Sequence, residues 1–192
     1  MKIFIFGIIL LVFAFAPITA MEYSNSTIVA GFTFNFGTFS AGENEGGSIF
    51  TGGSLFIDWL PINRIGLSYG LETALLGGKK YDDIIFGIPA IFRLGWHPDF
   101  LQFEKFNTFL LAKLGWGFGI WGENLDKAST SGGIVCGFNF GAGYTLNSNL
   151  KVYTEIGYNY YGLARNSNYP EYPLGYGSGK AYTSIGLLMN LF

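Results

Sequence analysis

The chain alternates. In "GGIVCGFNFGAGYTL", residues 132–146, one side of an extended backbone carries Ile134, Cys136, Phe138, Phe140, Ala142, Tyr144 and Leu146. The other side carries Val135, Gly137, Asn139, Gly141, Gly143 and Thr145. Successive strand side chains face opposite sides of a sheet, so this segment is a strand with two unlike faces. The same period of two recurs along the chain, with β-branched and aromatic enrichment and turn residues at the ends. It predicts eight strands, at 27–39, 48–60, 64–76, 83–96, 107–121, 132–146, 150–163 and 181–192. No stretch of useful length has a helical period. No linker breaks the rhythm, so residues 21–192 read as one all-β domain.

Which face is the inside follows from sorting the rows. Strand 107–121 sets Leu110, Ala112, Leu114, Trp116, Phe118 and Ile120 against Leu111, Lys113, Gly115, Gly117 and Gly119. Strand 83–96 sets Phe86, Ile88, Phe92, Leu94 and Trp96 against Gly87, Pro89, Ile91, Arg93 and Gly95. The second row is glycine, short polar residues and a few charges. It makes a poor water-facing surface, which would carry many Lys, Glu and Thr. It also makes a poor soluble core, because glycine buries almost nothing. It suits the bore of an eight-stranded barrel, which is only wide enough for side chains to fill. A secreted lipocalin-like barrel would reverse the faces and set rows of glycine against water, which disfavours it. The expected fold is therefore an eight-stranded antiparallel up-and-down transmembrane β-barrel with its bulky row against lipid.

The connections carry the same message. "PIN" (61–63) and "NSN" (147–149) are minimal, whereas 40–47, "GGKKYDD" (77–83), 122–132 and 164–180 are longer and more polar. Short periplasmic turns and longer outer loops are the habit of outer-membrane barrels. The connection 97–106, "HPDFLQFEKF", is the exception, being long on the short-turn side.

Composition sharpens the picture. Aromatic residues make up 19% and charged residues 12% of the 192, with 29 glycines; a soluble domain carries about 25% charged residues. The net charge of −2 offers no basic face for nucleic acid. "MKIFIFGIILLVFAFAPITA", with Lys2, an apolar run, Pro17 and Ala20, reads as a signal peptide over residues 1–20. The lone Cys136 excludes an internal disulfide. One His and one Cys do not build a typical metal site, and no cofactor is expected.

Trp59 and Trp96 close strands at one rim. Trp121, with Tyr81, Tyr160 and Tyr182, lies near the other, so a girdle of aromatics is expected at both interfaces. The chain ends "SIGLLMNLF" at Phe192. On these patterns it resembles the eight-stranded outer-membrane barrels, the group of the OmpA transmembrane domain, OmpX and OmpW-like proteins. The resemblance spans residues 21–192 and rests on pattern rather than on a unique motif. It implies a monomer in the bacterial outer membrane, partnered by outer-membrane lipids, with the C-terminal strand read by the barrel-assembly machinery. The family pattern would put Phe192, Asn190 and Leu188 on the outer face. The row Ile185, Leu187, Met189 and Leu191 is the more apolar, and leaves the facing of Phe192 open.

Six charged residues fall on the inward row: Asp58, Glu72, Arg93, Lys113, Lys151 and Glu155. Buried charges must be paired. Counting from the strand ends sets Arg93, Lys113 and Glu155 at mid-depth, Glu72 somewhat higher, and Asp58 and Lys151 near the bottom. A plug of Arg93 and Lys113 with Glu72 and Glu155 is expected. Two readings of it remain, a static polar core and a gate whose pairs exchange. Lipid-modifying enzymes of this architecture would need a His with Ser and an acid at the outer rim. The single His97 sits at the opposite rim, which reads as a turn residue, so no catalytic residue is assigned. Loop 164–180 carries Tyr169, Tyr172 and Tyr176 among prolines and glycines, a surface suited to a host or cell-surface ligand. The expected role is envelope structure or surface interaction. The alternative is a narrow, porin-like conduit for small apolar molecules, as in OmpW-like proteins.

Overall fold

The computed structural model describes residues 27–39, 48–60, 66–80, 83–103, 105–122, 129–162 and 179–191. Eight strands run in chain order: β1 Thr27–Phe39, β2 Ser48–Leu60, β3 Leu67–Lys80, β4 Asp83–Trp96, β5 Phe106–Gly122, β6 Ser129–Thr145, β7 Leu150–Tyr161 and β8 Gly179–Asn190. Each pairs antiparallel with the next, and β8 pairs with β1 through Val29↔Asn190 to Gly37↔Tyr182. The sheet therefore closes on itself and leaves no free edge, the condition for strands to cross lipid.

The alternation decides what each side of this wall meets. Phe32, Phe34, Ile57, Leu71, Ile88, Leu114, Trp116, Phe138, Ile156 and Ile185 stand on the outside. Between them on the same strands, Thr33, Asn35, Ser54, Glu72, Arg93, Lys113, Asn139 and Glu155 are buried inside. The polarity is inverted relative to a soluble protein. With strands of 12 to 17 residues, each is longer than the roughly 9–11 residues that cross a bilayer.

The lumen is filled in layers. Toward the open strand ends near Phe50 and Tyr161 lies an apolar cluster of Phe50, Leu76, Ile91, Val135, Tyr161 and Tyr182. Toward the end that holds both chain termini lies a second, of Phe56, Phe109, Leu111 and Tyr153. Glycine makes room for the rings at this lower level. A Cβ on Gly31 would overlap the Phe56 ring, and one on Gly141 the Phe109 ring.

Strand β3 departs from the sequence-based bounds of 64–76. It begins at Leu67 and runs to Lys80, pairing Gly77↔Phe86, Gly78↔Ile85 and Lys80↔Asp83. "GGKK" reads as a turn by composition, but its glycines continue the wall. The β3–β4 connection is thereby cut to residues 81–82, so long and short connections do not simply alternate. The residue before β3, Gly66, has φ +69°, and a Cβ there would strike the His97 carbonyl. That carbonyl lies close because the His97 amide donates to Gly66 O at 2.7 Å. A left-handed residue under such crowding has to be glycine.

Candidate functional site

Strand register sets three of the inward charges in one hydrogen-bonded row, and Glu72 and Glu155 reach them from neighbouring rows. Asp58 faces Gly70, Gly70 faces Arg93, Arg93 faces Lys113, and Lys113 faces Gly137, which faces Asn159. The two glycines in this row are part of its construction. A Cβ on Gly70 would overlap Asp58 Oδ1, and one on Gly137 would overlap Asn159 Oδ1.

Arg93, 1% exposed, is the hub. Its Nε donates to Asp58 Oδ1 at 2.9 Å and Oδ2 at 3.2 Å. Its Nη1 lies 2.5 Å from Glu72 Oε2 and 3.2 Å from Glu155 Oε1. Its Nη2 donates to the Tyr153 hydroxyl at 2.8 Å, and that hydroxyl donates to Glu155. Lys113 Nζ bridges the same two glutamates, at 2.9 Å from Glu72 Oε2 and 2.8 Å from Glu155 Oε2. Asn139 Nδ2 donates to Glu155 Oε2 at 3.2 Å. Rings flank both cations. The Phe56 centroid is 4.0 Å from Arg93 Cζ, and the Tyr182 centroid is 5.0 Å from Lys113 Nζ. A planar guanidinium with five donors can serve three carboxylates and a phenol at once, which an ammonium cannot. Among these five side chains three carboxylates face two cations. The neutral donors Tyr153 and Asn139 supply the remaining stabilisation.

The structure thus brings Glu72, Arg93, Lys113 and Glu155 together. It adds Asp58 to them: that residue stays near the terminal end, where it lines the same cavity as Lys151, and the long Arg93 side chain reaches down to it. Tyr153 and Asn139 are members that the sequence reading misses. A signal for Tyr153 is present, since it lies two residues before Glu155 on the same inward face. Lys151 stays outside the network. It lines a cavity of about 30 Å³ at the terminal end, together with Asp58, Ser68, Arg93, His97 and Asn107. That volume suits a water molecule.

His97 is held rather than poised. Its Nε2 lies 2.9 Å from Ser68 Oγ, and its ring packs on Phe109 at 5.1 Å. Burial, with Lys151 and Arg93 nearby, pushes its pKa down to about 4. The imidazole is therefore neutral near pH 7.

At the terminal rim, Trp59 is half-buried and meets Tyr69 edge-on at 4.7 Å. Trp96 is exposed on the outside and meets Phe100 at 6.5 Å. Tyr182 does not join the far girdle. It points into the lumen, where its hydroxyl donates to Asn35 Oδ1 at 2.9 Å. The side chain of Trp121, the residues Tyr81, Tyr169, Tyr172, Tyr176 and Phe192, and the leader segment lie outside the described residues. Cys136 is a free thiol, half-buried on the outward row.

No family model matches the chain, and no curated protein matches it in sequence. Solved structures do match in fold. Neisserial surface protein A is 15% identical with a TM-score of 0.59, covering 88% of this chain and 100% of that one. A major outer membrane protein from Thermus thermophilus is 13% identical with a TM-score of 0.54, covering 84% and 99%. Ail, the attachment invasion locus protein of Yersinia pestis, is 11% identical with a TM-score of 0.50, covering 86% and 96%. The fold is that of the bacterial outer-membrane β-barrels. Joined to the apolar exterior, which only lipid can cover, it makes the chain an integral barrel of a bacterial outer membrane.

Proposed function

We propose that the chain is a small non-enzymatic outer-membrane protein that serves envelope structure or surface contact, with a barrel plugged against solute flow. The observation that carries this reading is the filled lumen. A network of five charged side chains lies between two apolar clusters, so an ion would have to displace both rings and ion pairs. Surface contact would fall to the outer loops, with Tyr169, Tyr172 and Tyr176 as the candidates for a host or cell-surface ligand. The chain would act as a monomer, delivered by the barrel-assembly machinery through its C-terminal strand. The Ser68–His97 pair does not argue for an enzyme. Asp58, the acid in the same cavity, is engaged by Arg93 rather than by His97.

Single-channel recording of the refolded protein in planar bilayers tests the reading. The expected trace is flat, and a large, stable conductance would overturn the plug. Deleting residues 166–178 should leave the barrel folded and lower adhesion to host cells; unchanged adhesion would remove that loop from the account.

One observation favours the second reading, a conduit for small apolar molecules. The pairing of β3 with β4 lapses between Thr73↔Ala90 and Leu76↔Gly87, beside Pro89, which has no N–H to donate. Ala74, Leu76 and Ile91 of the apolar cluster lie at that seam. Cross-linking the seam through Leu75→Cys and Ile88→Cys would abolish uptake of a fluorescent apolar probe on this reading, and leave it unchanged on the first.

A further inference from the structure

The connection 97–106 is long on the side where turns are short, and its structure explains the length. It is a folded element rather than slack chain. Asp99–Leu101 form a single 3₁₀ turn, closed by the Gln102 amide on Asp99 O at 3.1 Å. The Gln102 side chain donates to Pro98 O at 3.2 Å and Thr108 O at 2.7 Å. The Phe103 amide donates to Phe106 O at 2.7 Å, and Gln102 bridges Asn107. These bonds fasten the turn to the foot of β5.

This fastening leaves two large rings uncovered. Phe100 is 73% exposed and Phe103 65%, more than almost every lipid-facing residue of the strands. Burying a Phe side chain is worth about 1.5–3 kcal/mol, so leaving two in water would be costly. Their direction follows from their neighbours. Phe100 meets Trp96, which stands on the outer face. Gln102 shares the inward side with its bridge partner Asn107, which lines the lumen cavity. Phe103, the next residue, therefore takes the outward side with Phe106. The exposed rim is continuous with the apolar belt through Trp96, Phe106 and Tyr144. Lys105 is exposed beside it, and its carbonyl is held by the Thr145 amide at 2.8 Å.

We propose that this turn is a membrane anchor, in which Phe100 and Phe103 insert at the headgroup–acyl boundary of the periplasmic leaflet. The partner is the phospholipid surface itself. Aromatic rings favour that depth, and the Lys105 ammonium can reach a lipid phosphate from it. The belt is extended below the strand ends at one point of the circumference, which would fix the tilt of the barrel there.

The test uses the full mature chain refolded into phosphatidylcholine vesicles. In a Cys136→Ala background, Phe103→Cys carries a polarity-sensitive fluorophore, and Phe100→Cys does so in a second protein. Ser148→Cys, in the exposed turn between β6 and β7, is the aqueous reference. Labels at 100 and 103 should be blue-shifted relative to 148. They should be quenched by lipids brominated near the headgroup end of the acyl chain, and should lose quenching by iodide. Emission and iodide quenching equal to those at 148, with no effect of brominated lipid, would overturn the proposal and leave the rings as a docking surface for a periplasmic protein. Heat-modifiable gel mobility reports folding for each variant, and either labelled site alone decides the question.

Discussion

Removing the Arg93 side chain should be the most damaging single change in the lumen. Arg93→Met keeps an unbranched apolar stem but takes away every partner that Asp58 has in the network, the second cation of Glu72 and Glu155, and a donor to Tyr153. Three buried carboxylates would then face Lys113 alone. Breaking a buried ion pair by deleting one partner costs about 3–5 kcal/mol, because a charge is left without compensation. Arg93→Met should fall at the upper end of that range, since three carboxylates are affected. Arg93→Lys should lose less, on the order of 1–3 kcal/mol, because charge is kept while the forked donor geometry is lost. Asp58→Asn added to Arg93→Met should recover part of the loss, giving a coupling of about 0.5–3 kcal/mol. The assay is equilibrium urea unfolding in lipid vesicles, followed by Trp fluorescence and by gel mobility. A loss below about 1 kcal/mol for Arg93→Met, or strict additivity with Asp58→Asn, would refute the claim that Arg93 is the hub.

Gly70→Val should cost about 3 kcal/mol or prevent refolding, since it overlaps Asp58 and the Ile57 carbonyl. Gly77→Ala should be tolerated in the same unfolding assay, because its Cβ would meet only Phe86 at an ordinary 3.6 Å. Phe138→Arg, on the outer face at the level of Lys113, should destabilise by about 2–4 kcal/mol in vesicles, as a cation facing lipid does. For His97 the folded value of about 4 lies below the ordinary 6.5. Stability is therefore fully present above pH 6.5 and is lost as pH falls from 6.5 toward 4, by at most about 3 kcal/mol. His97→Gln should flatten that part of the urea midpoint against pH, and an unchanged profile would show that His97 does not cause it.

Much of the fold is legible in the sequence because a barrel wall has two chemically opposite sides. Period-two alternation places Phe138 outside and Asn139 inside without any knowledge of neighbours. It bounds β2 and β4 to the residue, and β6 within three. It fails at β3, where "GGKK" reads as a turn. Glycine marks turns in soluble sheets, but here it also lines a narrow bore, and composition does not distinguish the two uses. The inward charges are equally visible, yet their grouping is less so. Register offsets between tilted strands are absent from any single strand's pattern, and depth counted from strand ends does not show that Arg93 reaches Asp58 near the bottom. The row that sets Asp58 and Arg93 on either side of Gly70 appears only when the strands are paired. A long guanidinium also spans more than one layer, so it collects partners that counting keeps apart.

Inverted polarity is the claim on which the rest stands, and a spin-label scan along β6 tests it most directly. Single cysteines at 134, 135, 136, 138, 139, 140 and 142, each labelled in the refolded barrel in vesicles, report collision with oxygen, which partitions into lipid, and with a nickel chelate, which stays in water; Gly137 and Gly141 are left out because a Cβ there would overlap lumen side chains. Inverted polarity predicts a period of two, with oxygen reaching 134, 136, 138, 140 and 142, and the odd positions shielded from both reagents. Nickel chelate reaching Phe138, or a profile without alternation, would contradict it.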